Sequence, residues 1–594
     1  MNVAIPGLKG PNLPVQGGAV HARVGSPSHA QEPTAWILQA FVALLGIAMF
    51  LIAVSGFPNL LDNERRVGGY VLDAVQNGHW MIQRDTAGVV ASKPPLLTWI
   101  AALVTLGFGE LNLFAIYFPS ALATVGVALV LLGAGKRYFG WQAGFLAALM
   151  YLVSFASDKQ LMTARYDGLL ALPVILAALA AFRAWSLNRG WTWFWLAAAV
   201  GTLAKGPIAL VLGAAGLFAH LWEKRTSHNS QLRGSHWLGV LVYLTICGGW
   251  FLLAYSEMGQ PLTEKMLGRE LAAHATGAGR GEAMFLGFYE PPLEFLSAFA
   301  PWSLLAFLGF WRVARQPALE SETRRFERFL FCSFFFGLVL FCIAAHQRGR
   351  LIFPLIPFAA LLAGREGAQW LRLWAPARLM KAAGVVAVFT LGILALYHHV
   401  LLGNSERIKK TLGCREVAAE VRRTLGKEFP LVLVDVPFAL QFYLGTARPV
   451  TSLERAADLL QGDFPAVVAI SDLDSLLARF PTNSPPLHEL ARWPSNGIPF
   501  IRIVSNHPVT ETDSAERLAT ILGPLRLQLE NLEFVRTRGH EIVLRPGART
   551  GTVSVVNESE SAQQVRIRIL ARTEEPDTIS GKFLAAGERW SVSQ

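Results

Sequence analysis

Leu60-Leu61-Asp62-Asn63-Glu64-Arg65-Arg66, followed by Ser92-Lys93-Pro94-Pro95-Leu96, is the part of the sequence on which the rest depends. The first stretch sets two carboxylates just past an apolar run, Trp36–Phe57. The second sets one lysine directly before a Pro-Pro helix start. Loops carry stray carboxylates constantly, and one acid would suffice to mark a water boundary; a pair asks for more. In a chain that crosses a membrane, ionisable groups at the mouth of the bilayer mark sites more often than they decorate surfaces.

That this chain crosses a membrane follows from its composition. Of 594 residues, 53% are apolar and only 16% charged, with a mean hydropathy of +0.38. Soluble globular proteins rarely combine those values, and apolar runs close to the ~20 residues needed to span a bilayer recur along the chain. The net charge of +11 therefore reads as loop bias and attraction to anionic lipid, not as a nucleic-acid footprint. No RNA- or DNA-binding motif accompanies it, so no nucleic-acid partner is expected. Cys247, Cys332 and Cys342 lie in apolar spans and Cys414 stands alone, so neither a zinc knuckle nor a disulfide framework is supported.

Residues 1–33, rich in Gly, Pro, Ser and Gln, read as a disordered cytoplasmic tail. The first apolar run starts too late and is too long for a cleavable signal peptide. Between it and residue 113 lies an outer loop, 58–113, with two amphipathic pieces: Gly68–Trp80, and Pro94–Phe108, which is short for a span and is expected to lie in the interface. Further spans are then expected at roughly 114–135, 142–157, 167–187, 191–204, 206–222, 236–256, 293–311, 329–345, 350–363 and 382–402. With a cytoplasmic amino terminus, the inner loops receive Lys136/Arg137, Arg183/Arg189, Lys224/Arg225/Arg233, the arginines at 312–328, and Arg365/Arg372/Arg378/Lys381. That agrees with the positive-inside rule, and making 94–108 a span would invert every one of those loops. The sequence thus predicts a mainly α polytopic domain of about eleven spans, residues 34–403, with the carboxyl terminus outside.

This topology gathers the chemical-looking clusters on the outer face: Asp62/Glu64, Lys93, Asp158/Lys159 with Arg165/Asp167, Lys205, the loop 257–292 containing Arg269 and Glu270, and His346-Gln347-Arg348-Gly349-Arg350. Each has a bland alternative, since lysine and arginine commonly snorkel from span ends. Lys93, Lys205, Arg348 and Arg350 are the exceptions to the charge bias, which favours a role for them. After residue 403 the composition changes. Pro430–Val436 and Ala466–Ser471 are strand-like runs among helical stretches, a small α/β domain over 404–523. From 524 to 594 the alternating segments Leu525–Val535, Glu541–Leu544, Thr552–Val556 and Val565–Ile569 predict a β-rich end piece.

Carboxylates and cations on one face suit chemistry on an anionic, lipid-borne substrate. A carboxylate can take the proton of an attacking hydroxyl, and Lys or Arg can hold a departing phosphate. No HExxH, GxSxG or Walker pattern offers a rival chemistry.

Asp62-Asn63-Glu64-Arg65, Lys93-Pro94-Pro95-Leu96 and Lys205-Gly206-Pro207, with Phe108-Gly109-Glu110-Leu111-Asn112, Pro301-Trp302-Ser303 and Pro354…Pro357, resemble the membrane glycosyltransferases of the GT-C fold. The nearest branch holds the protein O-mannosyltransferases and the lipid A aminoarabinose transferase, and the resemblance covers roughly 36–400. It implies inverting transfer of a sugar from a polyprenyl-phosphate donor to a lipid, glycan or protein acceptor, on the outer side of a bacterial inner membrane. Asp62 matches the catalytic carboxylate, with Glu64 supporting the site. Asp167 matches a second acid, for which Asp158 competes. Lys93 matches the donor-phosphate contact, Arg348 or Arg350 a further basic one, and Lys205 joins that set; Arg269, Glu270 and His346 complete the candidates. No cofactor is fixed by the resemblance and a divalent metal is left open; relatives often carry an acid or aromatic before Lys-Pro-Pro, where this chain has Ser92. Two other readings remain: a transporter or flippase of lipid-linked saccharides, whose polar groups would sit nearer mid-membrane, and an inactive relative whose outer domain binds glycan.

Overall fold

The computed structural model describes residues 33–58, 60, 62–86, 88–226, 232–266, 268, 287–344, 349–425, 431–446, 450–462, 466–481, 486–493, 501–506, 525–530, 532–538, 541–546, 552–557, 563–569, 578–584 and 589–593. Helices dominate up to residue 425. They are α1 (Ala35–Ser55), α2 (Asp62–Asn77), α3 (Leu96–Phe108), α4 (Leu113–Phe139), α5 (Trp141–Leu152), α6 (Phe155–Leu161), α7 (Tyr166–Leu187), α8 (Trp191–Lys205), α9 (Ile208–Ala214) and α10 (Ala219–Thr226). There follow α11 (Trp237–Tyr243), continued through a π-turn into α12 (Gly249–Met258), the single turn α13 (Gln260–Thr263), α14 (Glu290–Ala298), α15 (Trp302–Arg315), α16 (Ser321–Ile343), α17 (Ile356–Trp370), α18 (Pro376–Leu396) and α19 (Glu406–Leu425).

Among the described residues, seven stretches are long and apolar enough to cross a membrane: Ala35–Ser55, Leu113–Phe139, Tyr166–Leu187, Trp237–Met258, Ser321–Ile343, Gly349–Trp370 and Pro376–Asn404. In Trp237–Met258 only 17% of the apolar window is buried, and in Pro376–Asn404 only 22%. Leucines 244, 252 and 253 and residues Val385, Val388 and Phe389 instead face outward. A helix apolar all round yet unburied by its own chain has lipid as its solvent. The expected span 293–311 is not one straight helix. Glu290–Ala298 and Trp302–Arg315 meet at 115°, because a residue before proline is driven out of the α region and Pro301 supplies no N–H to continue the ladder. Counted as one broken span, the pair makes an eighth. The expected spans at 142–157, 191–204 and 206–222 fall on shorter pieces, α5, α8 and the α9–α10 pair.

Small residues let these short helices pack closely. A Cβ on Gly144 of α5 would strike the α4 backbone, and one on Gly364 of α17 would strike the α5 backbone at Ala143 and Ala147. Such small-residue contacts are how membrane helices approach each other without a hydrophobic driving force. They bury α5 from Ala143 to Leu152.

Outside this bundle, α2 is enclosed. Val67, Val71, Leu72 and Ala74 are buried in the main core with residues of α3 and α4, and α2's opposite side meets the C-terminal region. That region holds a four-stranded sheet of β1 (Leu431–Val434), β2 (Val467–Ile470), β3 (His488–Trp493) and β4 (Ile501–Ser505) in the order β1-β2-β4-β3. β1 and β2 are parallel and the other pairs antiparallel. The helix Phe438–Leu444 after β1 docks on α2: a Cβ on Gly68 would lie 2.9 Å from the Phe438 ring. The Gln76 amide donates to the Gly445 carbonyl, and the Val450 N–H donates to Thr86 O at 3.1 Å. Beyond residue 524 are seven strands: β5 (Leu525–Glu530), β6 (Leu532–Arg538), β7 (Glu541–Pro546), β8 (Thr552–Asn557), β9 (Gln563–Ile569), β10 (Thr578–Leu584) and β11 (Arg589–Ser593). They form sheets β11-β8-β5, β10-β9 and β6-β7. The expected strand Leu525–Val535 is two strands, and β10 and β11 had no sequence expectation.

Candidate active site

The site is assembled around the first turn of α2. Glu64 there is fully buried, and the Ala164 N–H donates to its Oε1 at 2.9 Å. A carboxylate in a first helical turn also meets the positive end of the helix dipole. This contact ties α2 to the short connection between α6 and α7. The same connection is held on the bundle side, where Ser120 Oγ of α4 donates to the Arg165 carbonyl at 2.8 Å. Asp62 is the first residue of α2; only its backbone belongs to the described structure.

Two residues beyond Arg165, Asp167 stands in the first turn of α7 and pairs with Lys205 in the last turn of α8. Both side chains are largely buried. Gly206, at φ +101°, turns the chain directly after Lys205. The two rival acids have different partners. Asp158 of α6 is not with Lys205; its Oδ1 faces His398 Nε2 of the last long helix at 3.8 Å. Lys93 is half-buried just before α3. Its loop is pinned from two sides: Trp99 Nε1 donates to Trp80 O at 2.6 Å, and Trp250 Nε1 of α12 donates to Met81 O at 3.0 Å. Ala91 and Leu96 of this loop share a core cluster with Leu203, two residues before Lys205.

Arg165 also lines a cleft of about 850 Å³, together with Lys159, Tyr289, Glu290, Glu294, Arg350 and leucines 293 and 296. Lys159 Nζ pairs with Glu294 at 3.1 Å, and the Gly349 N–H donates to Glu290 Oε2 at 3.2 Å. Arg350 is thus placed in this cleft, whereas Arg348, His346, Arg269 and Glu270 lie outside the described residues. Lys159 and Arg165 carried no assigned role in the sequence, and neither did Glu290, within the loop 257–292, or Glu294, within the expected span 293–311. A signal for the last two existed. Glu290-Pro291-Pro292-Leu293-Glu294 repeats the arrangement of Lys93-Pro94-Pro95, an ionisable residue against a Pro-Pro helix start, and adds a second acid on the same helical face.

A further polar cluster lies on α2 and the segment between it and α3. Asp73 of α2 accepts from Asn77 Nδ2 at 2.6 Å and from the Arg84 N–H at 2.7 Å, and meets His79 Nδ1 at 3.1 Å. The hydrogen bond to Asp73 raises the His79 pKa above its ordinary value, against burial, which lowers it. Among the described residues, no three His, Cys, Asp or Glu side chains converge on a point that could hold a metal ion.

Residues 92–251 match the family described as dolichyl-phosphate-mannose-protein mannosyltransferase. Among solved structures, ArnT from Cupriavidus metallidurans bound to undecaprenyl phosphate superposes with a TM-score of 0.60, at 21% identity, over 80% of this chain and 99% of that one. Its apo state gives a TM-score of 0.60 at 20% identity, over 80% and 98%. This is a GT-C fold. The resemblance to GT-C membrane proteins holds in the fold, and the described residues carry seven, or with the bent pair eight, stretches able to cross a membrane. No curated protein sequence matches the chain.

Proposed function

We propose that this protein transfers a glycosyl unit from a polyprenyl-phosphate carrier to an acceptor hydroxyl, with inversion, at the extracytoplasmic surface of a bacterial inner membrane. The observation that carries the reading is the Glu64–Ala164 contact. It brings the start of α2, and with it Asp62, against the segment bearing Arg165 and the Asp167–Lys205 pair. Those groups lie about a hundred positions apart in sequence, and a bundle with no chemistry to perform has no need to gather them. The neighbour with 0.60 TM-score was crystallised with undecaprenyl phosphate, which supports a carrier of that kind here.

In this reading Asp62 accepts the proton of the acceptor hydroxyl as its oxygen attacks the anomeric carbon. The bond from that carbon to the phosphate oxygen breaks in the same displacement, and the electron pair leaves with the carrier phosphate. Lys93 holds that phosphate and stabilises its growing charge, assisted by Lys205, which Asp167 orients. Glu64 acts through structure: it fixes the connection opposite Asp62. The topology belongs to the same proposal, with α5, α8 and the α9–α10 pair completing eleven crossings and the site facing outward. A shorter helix can complete a crossing where neighbours shield it from lipid, as they shield α5.

The test is to purify the full chain, supply radiolabelled polyprenyl-phosphate sugars with membrane extract, and follow the label. Label moving to a lipid, glycan or protein supports the reading. Carrier-bound label that stays intact with every sugar offered would end it.

A further inference from the structure

We infer that α2 positions both partners of the reaction: it carries Asp62 at its first residue, and through a hairpin clasped by Asp73 and Gly69 it sets the place of Lys93. Asp73, Gly69 and Gln83 are thereby positioning residues. The inference rests on the transferase reading above, in which Lys93 holds the carrier phosphate.

Between α2 and Lys93 the chain folds back on itself. The Asp85 N–H donates to Val89 O at 2.9 Å, and the Val89 N–H donates to Asp85 Oδ1 at 3.0 Å. Arg84 bridges Val90 in the antiparallel sense, and the Ala91 N–H donates to Gln83 O at 2.8 Å. Only Ser92 separates that last bond from Lys93. The hairpin is held to α2 at two places. Asp73, buried towards the end of α2, accepts from the Arg84 N–H on Oδ2 and gathers Asn77 and His79 on Oδ1. Earlier on the same helix, the hairpin's turn lies against Gly69, where a Cβ would stand 2.8 Å from Thr86 N and 3.1 Å from Asp85 Cα. Only a residue without a side chain lets backbone meet backbone there. Gln83, itself buried, donates to His79 O at 3.0 Å and Trp80 O at 2.7 Å, and the C-terminal region adds the Val450–Thr86 bond.

A buried carboxylate that gathers loop donors has a plain role in stability. What gives this one a role at the site is where the hairpin leads. Ala91 is fixed on one side of Lys93. On the other side the rings of Pro94 and Pro95 set their own φ, and α3 is tied back by Trp99 Nε1, whose acceptor Trp80 O also takes the Gln83 amide. Successive Cα atoms stand about 3.8 Å apart, so with only Ser92 and Lys93 between the two anchors a displaced hairpin carries the lysine with it. The ammonium is a compact charge on a flexible stem, and its hold on a phosphate depends on where that stem begins. Glu64 ties the first turn of the same helix to Ala164. The proposed base and the proposed phosphate contact thus take their places from one rigid element.

The experiment uses the full chain in phosphatidylcholine nanodiscs. Affinity for undecaprenyl phosphate is read by calorimetry, and hydrogen exchange is read over residues 83–93. Asp73→Ala should weaken carrier affinity at least about fivefold, since it releases contacts to a charged acceptor. Gly69→Ala favours the helix but drives the turn off it, and should weaken affinity in the same way. Both should quicken exchange at 89–93 and leave α4 and α7 unchanged. The mark of positioning is non-additivity: in a Lys93→Ala background neither substitution should lower affinity by more than about twofold, whereas independent effects would add in full. If Asp73→Ala does not fold, Asp73→Asn offers one carbonyl oxygen to three donors and should move both readouts in the same direction. Fully additive losses would overturn the inference, as would unchanged exchange at 89–93 in the Asp73 or Gly69 variants. Quickened exchange in a chain where Lys93→Ala itself costs no carrier affinity would uphold the clasp and strike instead the carrier role that the transferase reading gives to Lys93.

Discussion

Asp62 and Glu64 share one helical turn, and the proposed function gives them unlike tasks. An acceptor hydroxyl is a poor nucleophile at neutral pH, so its proton must leave as the new bond forms, and a positioned base is worth about 10²–10⁴ in rate. Asp62→Asn keeps size and much of the hydrogen bonding but cannot take the proton. It should insert and bind carrier normally while single-turnover transfer falls at least about a hundred-fold. Near-wild-type transfer in that variant would pass the role to Asp167. Glu64 is read differently now that its Oε1 is seen to hold the Ala164 amide. Removing it leaves a buried N–H unsatisfied, a cost of about 1–3 kcal/mol in stability, so Glu64→Ala should lose folded protein before it loses chemistry. Lys93→Ala removes a charge-assisted contact to phosphate, about 1.5–3 kcal/mol. Carrier affinity and turnover should therefore drop together, about ten- to a hundred-fold, and calorimetry that finds affinity unchanged would take Lys93 out of the site.

At the scale of elements, what could be read in advance was what is periodic or continuous. α1, α4, α7 and α16 announce themselves as long apolar runs, and the Pro-Pro starts of α3 and α14 are local chemistry. The bend between α14 and α15 was missed although Pro301 marks it, because a proline inside an apolar run can equally kink a single continuous span, and only the path of the chain at Phe299–Pro301 decides. Nor was the Glu64–Ala164 contact, which no window along the sequence can contain. The acids of α14 were overlooked for a different reason: Glu290 at the end of a loop and Glu294 at the start of an expected span both read as boundary markers until the cleft they line is seen. One element has a pH signature. His79, half-exposed beside Asp73, has its pKa raised above 6.5 chiefly by that hydrogen bond, with Arg84 opposing and Glu257 assisting. A raised pKa means that the protonated form is favoured in the folded loop. Its stabilisation is complete below 6.5 and is lost as pH climbs through the raised value. Hydrogen exchange in residues 79–91, corrected for intrinsic rates, should therefore slow at low pH and quicken above neutrality, and His79→Gln should flatten the dependence. A flat profile in wild type would refute the assignment.

The whole molecule has two polar ends. If eleven crossings are made, labels at 136–140 and 313–327 report cytoplasm and fusions after 405 report the outside; finding residue 410 in the cytoplasm would undo both the span count and the outward site. One end carries the cleft, lined from α14 and the turn before α17. The other end of those same helices is closed by a buried charge network. Arg328 of α16 binds Glu223 of α10 at 2.7 Å, Arg365 of α17 binds Glu327 and its neighbour Glu366, and Arg312 of α15 reaches Glu366 at 2.7 Å. Glu223 and Glu366 are fully buried. Ionic contacts this dry add little net stability as a set, since desolvation cancels most of the attraction, but removing one member strands the others. Arg365→Met leaves Glu327 facing an apolar neighbour and should cost about 3–5 kcal/mol, read as a fall in the thermal midpoint of the detergent-solubilised chain. Adding Glu327→Leu removes the stranded charge and should recover most of that loss. Below the melting transition both variants should still bind undecaprenyl phosphate as wild type does, because the network touches no residue of the outer site. An unchanged midpoint in Arg365→Met would show that water reaches this end of the bundle and screens the charges, and a double variant no better than the single would show that the arginine acts by packing and not by charge.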